Sequence, residues 1–149
     1  MLSEKLQQLP HTTYDFSLLT DIDKFTNDLE DYVNVIKGGE KIVYFKCEEF
    51  PTMEIYVLDS FKTNKYEYED LRFLVDGYIE FTSYGLKLDG VQYCFMGNEE
   101  GAFTKSEQPN IAFNMALNRM WQGKKFIVLY GSFIMGTEKA MRDPSDELD

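Results

Sequence analysis

The sequence predicts a single α+β domain, in which an antiparallel or mixed sheet of about five strands carries two main helices. Two segments, 20–37 and 109–122, repeat apolar residues every three or four positions, as amphipathic helices do. Several other short runs are rich in β-branched and aromatic residues, as strands are. The length of 149 residues suits one domain that folds without a metal or a disulfide.

The composition divides the chain into three parts. Residues 1–14 are predicted to be a polar lead-in, and residues 15–141 form the domain. Residues 142–149 contain four acids and Pro144, which indicates a frayed acidic tail. No internal repeat or interdomain linker separates these parts.

The first helix is predicted over 20–37. Thr20 is the expected N-cap, and Gly38 with Gly39 should end the helix. Its apolar stripe comprises Ile22, Phe25, Leu29, Tyr32, Val33 and Ile36. The other side carries five acids and one cation, which are Asp21, Asp23, Asp28, Glu30, Asp31 and Lys24. The acidic run resembles a calcium loop only in its acids, because Thr26 and Tyr32 stand where that loop needs Gly and Glu.

Residues 41–47 and 53–58 are predicted to form an antiparallel pair of strands. Residues 66–82 fit either a helix or two strands, and Asp76-Gly77 favours the hairpin because both central positions of a type I′ turn need positive φ. The same signal at Asp89-Gly90 predicts a hairpin between 84–88 and 91–96.

The segment 109–130 contains a complete helix-to-strand signal. Pro109 suits a first helical turn, and Gly123 followed by two lysines suits a helix end. The apolar run 126–130 predicts a central strand buried on both faces. Residues 131–136 need be no more than a turn, and 137–141 are predicted to add a last short helix. The aperiodic stretch 97–108 is the longest predicted loop.

The chain contains 26 acidic and 15 basic residues, a formal net charge of −11. Direct binding to nucleic acid or anionic membrane is disfavoured, since both depend on Lys and Arg. The sequence has neither a membrane-spanning apolar run nor a signal-peptide pattern, which predicts a cytoplasmic protein. In that compartment Cys47 and Cys94 are expected to be buried free thiols.

Signatures of catalysis and of cofactor binding are absent from the sequence. His11 is the single histidine and follows Pro10 in the lead-in, where we expect it to be mobile. Two cysteines without CxxC spacing cannot build a typical zinc site, and no glycine-rich phosphate motif occurs. We therefore predict no cofactor and no metal site, and favour a non-enzymatic protein.

Tyrosines in the strand-like runs are expected to be half-buried sheet residues rather than a stacking surface for bases, because their neighbours are acidic. These residues are Tyr44, Tyr56, Tyr68, Tyr78, Tyr84 and Tyr93. The principal hypothesis is an acidic module that binds a basic protein, such as one that handles nucleic acid, by imitating a phosphate track. The chain resembles small phage inhibitors of host defence in size and acidity.

The predicted partner-binding residues are Asp28, Glu30, Asp31, Glu67, Glu69, Asp70, Glu99 and Glu100. One alternative is a self-assembling structural or accessory protein, a homo-oligomer that uses exposed aromatic residues or the 97–108 loop. The other alternative is a small enzyme with a carboxylate or metal site, for which Asp76 with Glu80 and Glu54 with Asp59 are the candidate pairs.

Overall fold

The computed structural model describes residues 5–49, 51–61, 66–82, 87–98 and 131–141. These residues form an α+β body, as predicted, with seven strands rather than about five. The strands are β1 (Thr12–Asp15), β2 (Lys41–Glu49), β3 (Thr52–Asp59), β4 (Ile79–Thr82), β5 (Lys87–Leu88), β6 (Val91–Asn98) and β7 (Phe133–Thr137). The helices are α1 (Leu19–Ile36), α2 (Tyr68–Val75) and α3 (Glu138–Met141).

The strands form one antiparallel sheet in the order β1-β3-β2-β7-β6-β4, and β5 pairs with β6. The predicted pairing of 41–47 with 53–58 is confirmed by the register of β2 and β3, in which Tyr44 lies opposite Tyr56. The interpretation of 131–136 as a turn is wrong. Its last residues belong to β7, whose five residues are all buried between β2 and β6.

The sheet is buried on both faces, and each face has its own core. The core on the α1 side contains Phe25, Leu29, Val33 and Ile36 of the helix with Val43, Phe45, Met53, Ile55, Phe95, Phe133 and Met135 of the sheet. The core on the α2 and α3 side contains Leu74, Val75, Ala140 and Met141 with Ile42, Tyr44, Tyr56, Leu58, Met96 and Ile134. Alternate residues of one strand therefore supply both cores.

The first helix is confirmed, although Thr20 is not its N-cap. The N-cap is Leu18, which makes no side-chain capping bond, and its N–H donates to the Asp15 carbonyl at 3.0 Å. Asp15 also accepts from the N–H and the hydroxyl of Ser17, at 2.9 Å and 2.6 Å. This turn, rather than a capping side chain, sets where the helix begins. At the other end Gly39 has φ of 83° and donates to the Ile36 carbonyl, as the predicted glycine stop requires.

The hairpin predicted for 66–82 is wrong, because residues Tyr68–Val75 form α2. Asp76 adopts the left-handed conformation, with φ of 55°, and the Gly77 N–H donates to the Arg72 carbonyl at 3.2 Å. The Asn98 amide donates to the Asp76 carbonyl at 2.7 Å and closes this helix end. Left-handed residues end helices as readily as they form tight hairpins, so the Asp-Gly signal was ambiguous.

The hairpin predicted at Asp89-Gly90 is confirmed. Both residues have positive φ, 51° and 79°, and they join the antiparallel strands β5 and β6. The short last helix is also confirmed as α3, where the Thr137 hydroxyl accepts from the Ala140 N–H at 3.1 Å.

The segment interpreted as a lead-in reaches into the folded body. Thr12, Thr13 and Tyr14 pair with β3 as part of β1, and Tyr14 is fully buried against α1. Leu6 is buried in the core on the α2 side. The predicted helix at 109–122, the strand at 126–130, the tail at 142–149 and most of the 97–108 loop lie outside the described residues.

Gly136 in β7 allows a close approach of three segments. A Cβ at this position would lie 2.9 Å from the Ile42 side chain and 3.0 Å from that of Met141. We expect Gly136→Ala to lower the free energy of unfolding by about 1–3 kcal/mol, because the core would be overpacked. Urea titration measures this loss. Gly38→Ala is the matched control, since a Cβ at Gly38 meets nothing within 4 Å, and an equal loss in both variants would contradict the packing argument.

The expected free thiols are confirmed: Cys47 and Cys94 are both buried and unpaired, and they lie in the two different cores. Burial raises the pKa of the Cys47 thiol from 9.0 to about 11. Burial, with a smaller contribution from Glu138, also raises the pKa of Cys94 to about 11.

Stability is therefore expected to fall as the pH rises from about 9 to about 11. Over this range the unfolded chain loses thiol protons that the folded chain keeps, so deprotonation favours unfolding. Urea titrations of the wild type and of Cys47→Ala/Cys94→Ala at several pH values measure the effect. The wild type should lose more stability than the variant, and parallel pH profiles would rule out the thiols as the cause.

Candidate protein-binding surface

The apolar side of helix α1 packs into the core, so most of its charged side chains face solvent. Phe25, Leu29, Val33 and Ile36 are buried at helical spacing. On the other side Asp23, Glu30 and Asp31 are exposed. We call these three residues the acidic face of α1.

Asp28, a predicted partner-binding residue, has an internal role in the structure. Its Oδ2 accepts a hydrogen bond from the Tyr14 hydroxyl at 2.7 Å, and the Tyr32 hydroxyl lies 3.1 Å from that of Tyr14. Burial of Tyr14, together with Tyr32 and Asp28, raises the pKa of the Tyr14 phenol. Asp28 is half-buried and joins α1 to β1.

Asp21 has a similar structural role at the start of the helix. Its Oδ2 accepts from the Asp15 N–H at 2.7 Å. The Nζ of Lys24, the single cation in the helix, lies 5.7 Å from the centroid of the Tyr14 ring. The network at the base of α1 therefore engages Asp21, Asp28 and Lys24.

Four ion pairs between described residues form away from these three acids. They join Lys37 to Asp89, Lys41 to Asp59, Lys46 to Glu54 and Arg72 to Glu69. Within the described part of the chain, no cation pairs with Asp23, Glu30 or Asp31. Among the described residues, therefore, no ion pair offsets the negative charge of the acidic face of α1.

The second predicted acidic group lies at the start of α2. Glu67 is the N-cap residue, and Glu69 and Asp70 are in the first turn, where negative charge stabilises the helix. Glu67 and Glu69 are exposed, and Glu69 lies 4.0 Å from Arg72. Because α1 and α2 pack on opposite faces of the sheet, the structure does not bring the two groups onto one face. Glu99 and Glu100 lie outside the described residues.

The tyrosines fall into two classes. Tyr44, Tyr56 and Tyr93 are fully buried rather than half-buried, and Tyr84 lies outside the described residues. Tyr68 and Tyr78 are exposed. The expectation of half-buried strand residues is wrong for these two, because Tyr68 lies in α2 and Tyr78 in the turn after it.

His11 is exposed, and its ring lies beside that of Tyr56. Its ring centroid lies 4.8 Å from that of Tyr56, and its Nδ1 lies 3.1 Å from the Leu9 carbonyl. The Tyr56 hydroxyl donates to Glu54 at 2.7 Å, and Lys46 lies 3.8 Å from the same carboxylate.

The carboxylate pair Glu54 and Asp59 does not form a shared site. The two residues lie five positions apart on β3, so their side chains are on opposite faces, and Asp59 binds Lys41 at 2.6 Å. The described residues contain no group of three or more His, Cys, Asp or Glu side chains that could hold a metal ion. No described helix is long and apolar enough to cross a membrane.

Comparison with known proteins assigns no family to the chain. No family model matches it, and no curated protein and no solved structure shows significant similarity to it.

Removal of the Tyr14 hydroxyl is expected to loosen α1. Tyr14→Phe leaves half-buried Asp28 without its hydrogen-bond donor, which should lower the free energy of unfolding by about 1–3 kcal/mol. A double-mutant cycle with Asp28→Asn, measured by urea titration, isolates the coupling between the two groups. Asp31→Asn is the control on the exposed side of α1 and should change stability little. Additive effects of the two substitutions would show that the bond does not stabilise the helix.

Proposed function

We propose that this chain is a non-enzymatic acidic module that binds a basic protein. The observation that carries the proposal is the acidic face of α1, where three exposed carboxylates lack a cationic partner among the described residues. Such a surface attracts a basic partner over a long range and disfavours acidic ones. The chain's formal charge of −11 extends this preference beyond one helix.

A partner that normally binds nucleic acid has the chemistry that suits this surface. Asp23 and Glu30 are seven residues apart on a helix, which places them about 10 Å apart along its axis. Roughly three phosphates of one DNA strand occupy that axial distance. The carboxylates of α1 would then occupy positions that the partner offers to phosphates, as in a DNA mimic or a phage-type inhibitor of host defence.

The hydrogen bonds that Asp21 and Asp28 make within the fold support the proposal that the other acids of α1 bind the partner. Both carboxylates already accept hydrogen bonds that hold α1 on β1, so the helix presents its outer acids from a fixed position. A surface that is ordered before binding loses less conformational entropy when the partner docks. The proposed location is the cytoplasm, where buried free thiols such as Cys47 persist and where nucleic-acid-binding partners occur.

Charge reversal on α1 tests the proposal. We expect Glu30→Lys/Asp31→Lys to weaken capture of the partner from host lysate about tenfold or more, because two attractive charges become repulsive. The bait is the tagged chain of 149 residues, and mass spectrometry quantifies the partner that it captures. Raising the salt from about 0.05 M to about 0.5 M, or adding DNA, should release the partner from the wild type.

The control variant makes the same change in net charge away from α1. Glu40→Lys/Glu138→Lys reverses the charge of two exposed acids outside α1, and this variant should retain most of the captured partner. Thermal unfolding of both variants verifies that each is folded. Equal loss in the two variants would assign binding to overall charge rather than to α1. Recovery of the tagged chain alone, as a defined oligomer, would favour self-assembly over the proposed function.

A further inference from the structure

The exposed aromatic residues of the described chain are concentrated in one short segment. Four large aromatic side chains between residues 66 and 82 are about half exposed, and they are Tyr68 (56%), Phe73 (47%), Tyr78 (58%) and Phe81 (53%). The other large apolar side chains that are exposed in the described chain are aliphatic. We call residues 67–82, which comprise the α2 N-cap, α2, the turn after it and β4, the α2–β4 unit. Exposed aromatic residues are typical of binding interfaces, where they contribute much of the affinity.

The α2–β4 unit is also acidic. It contains Glu67, Glu69, Asp70, Asp76 and Glu80, and Arg72 is its single cation. Aromatic rings beside carboxylates favour a cationic ligand, because the ring face and the carboxylate both attract positive charge. The charge of this unit therefore selects a basic occupant.

An arginine is already held in this way within the unit. The guanidinium of Arg72 lies 4.7 Å from the centroid of the Tyr78 ring and 4.0 Å from the Glu69 carboxylate. Guanidinium groups stack on aromatic faces while their N–H groups reach carboxylates, which an ammonium group does less well. The unit thus already accommodates one guanidinium between an aromatic ring and a carboxylate.

Strand β4 supplies a backbone edge beside these side chains. It is the last strand in the order of the described sheet, where its hydrogen-bonded neighbour is β6. Ile79 packs against the core on the α2 side, whereas Phe81, two residues along the same face, is exposed. Glu80 is exposed on the opposite face. An extended peptide can add to such an edge, and alternate side chains then meet the two faces.

We propose that the α2–β4 unit binds an extended, arginine-containing segment of a protein, which pairs with β4 as an additional strand. Apolar side chains of the segment cover Phe81, and arginines on the other face bind Glu80. The inference depends on the proposed function for the basic character of the partner. It adds a second surface, which lies at the β4 edge of the sheet rather than on α1.

A synthetic peptide with the full-length protein tests this inference. The probe is a peptide of about ten residues that alternates arginine with valine, a length that exceeds a typical strand. Backbone amide shifts of the labelled protein map its position, and the perturbed amides should be those of 78–82. Phe81→Ser and Glu80→Lys should each weaken binding about tenfold or more, because each removes one face of the contact. Leu19→Ser, a matched change at an exposed apolar residue of α1, should have no effect.

A second peptide separates strand pairing from simple charge attraction. Methylation of alternate backbone nitrogens removes the N–H groups that would pair with β4 but leaves every arginine in place. Equal affinity of this peptide, or shifts confined to the amides of α1, would overturn the inference. Concentration-dependent shifts of 78–82 without peptide, with a dimer by sedimentation, would overturn it in favour of a second copy of the chain.

The two proposals can fail separately. A peptide that does not bind β4, with partner capture still sensitive to Glu30→Lys/Asp31→Lys, overturns the inference and retains the proposed function. Specific peptide binding at β4 with capture insensitive to that variant overturns the role of α1 and supports the strand-pairing site.

Discussion

The burial of strand β2 on both faces is the constraint on which the rest of the structure depends. Val43 and Phe45 enter the core under α1, and Ile42 and Tyr44 enter the core under α2 and α3. The Tyr44 hydroxyl also donates to the Leu74 carbonyl at 2.7 Å, which ties the sheet to the end of α2. Because one strand supplies both layers, neither helix layer can be repacked independently. The same sheet keeps the acids of α1 and α2 on separate faces.

Much of the fold could be predicted because local signals and tertiary packing agree there. One local structure fits the sequence pattern of each of three elements, which are α1, the β2–β3 pair and the hairpin at Asp89-Gly90. The pattern at Asp76-Gly77 fits two local structures, since a left-handed residue can end a helix or form a tight hairpin turn. The choice between them depends on Asn98, which is distant in sequence and binds the Asp76 carbonyl. No local pattern contains that information.

The sequence predicts the acidic charge of the candidate site, but it does not predict which acids are exposed or on which face of the sheet they lie. The acids of α1 were visible as a helical face, and Glu30 and Asp31 are exposed as expected. Asp28 has the same chemistry in the sequence, but Tyr14 occupies its carboxylate through a contact across 14 residues. The separation of Glu67 and Glu69 from α1 follows from sheet topology, which single-residue patterns do not encode. The exposure of Tyr78 and Phe81 depended on assigning α2 and β4 correctly.

The amide of Asn98 gives strand β4 a stability that its edge position would not suggest. Gly77 has no side chain, and a Cβ there would overlap the Asn98 amide that binds Asp76. One side chain at the end of β6 therefore joins the end of α2 to the start of β4. We therefore expect separation of β4 from the sheet to disturb the closure of α2 as well, so that the two elements open together rather than the edge strand fraying alone.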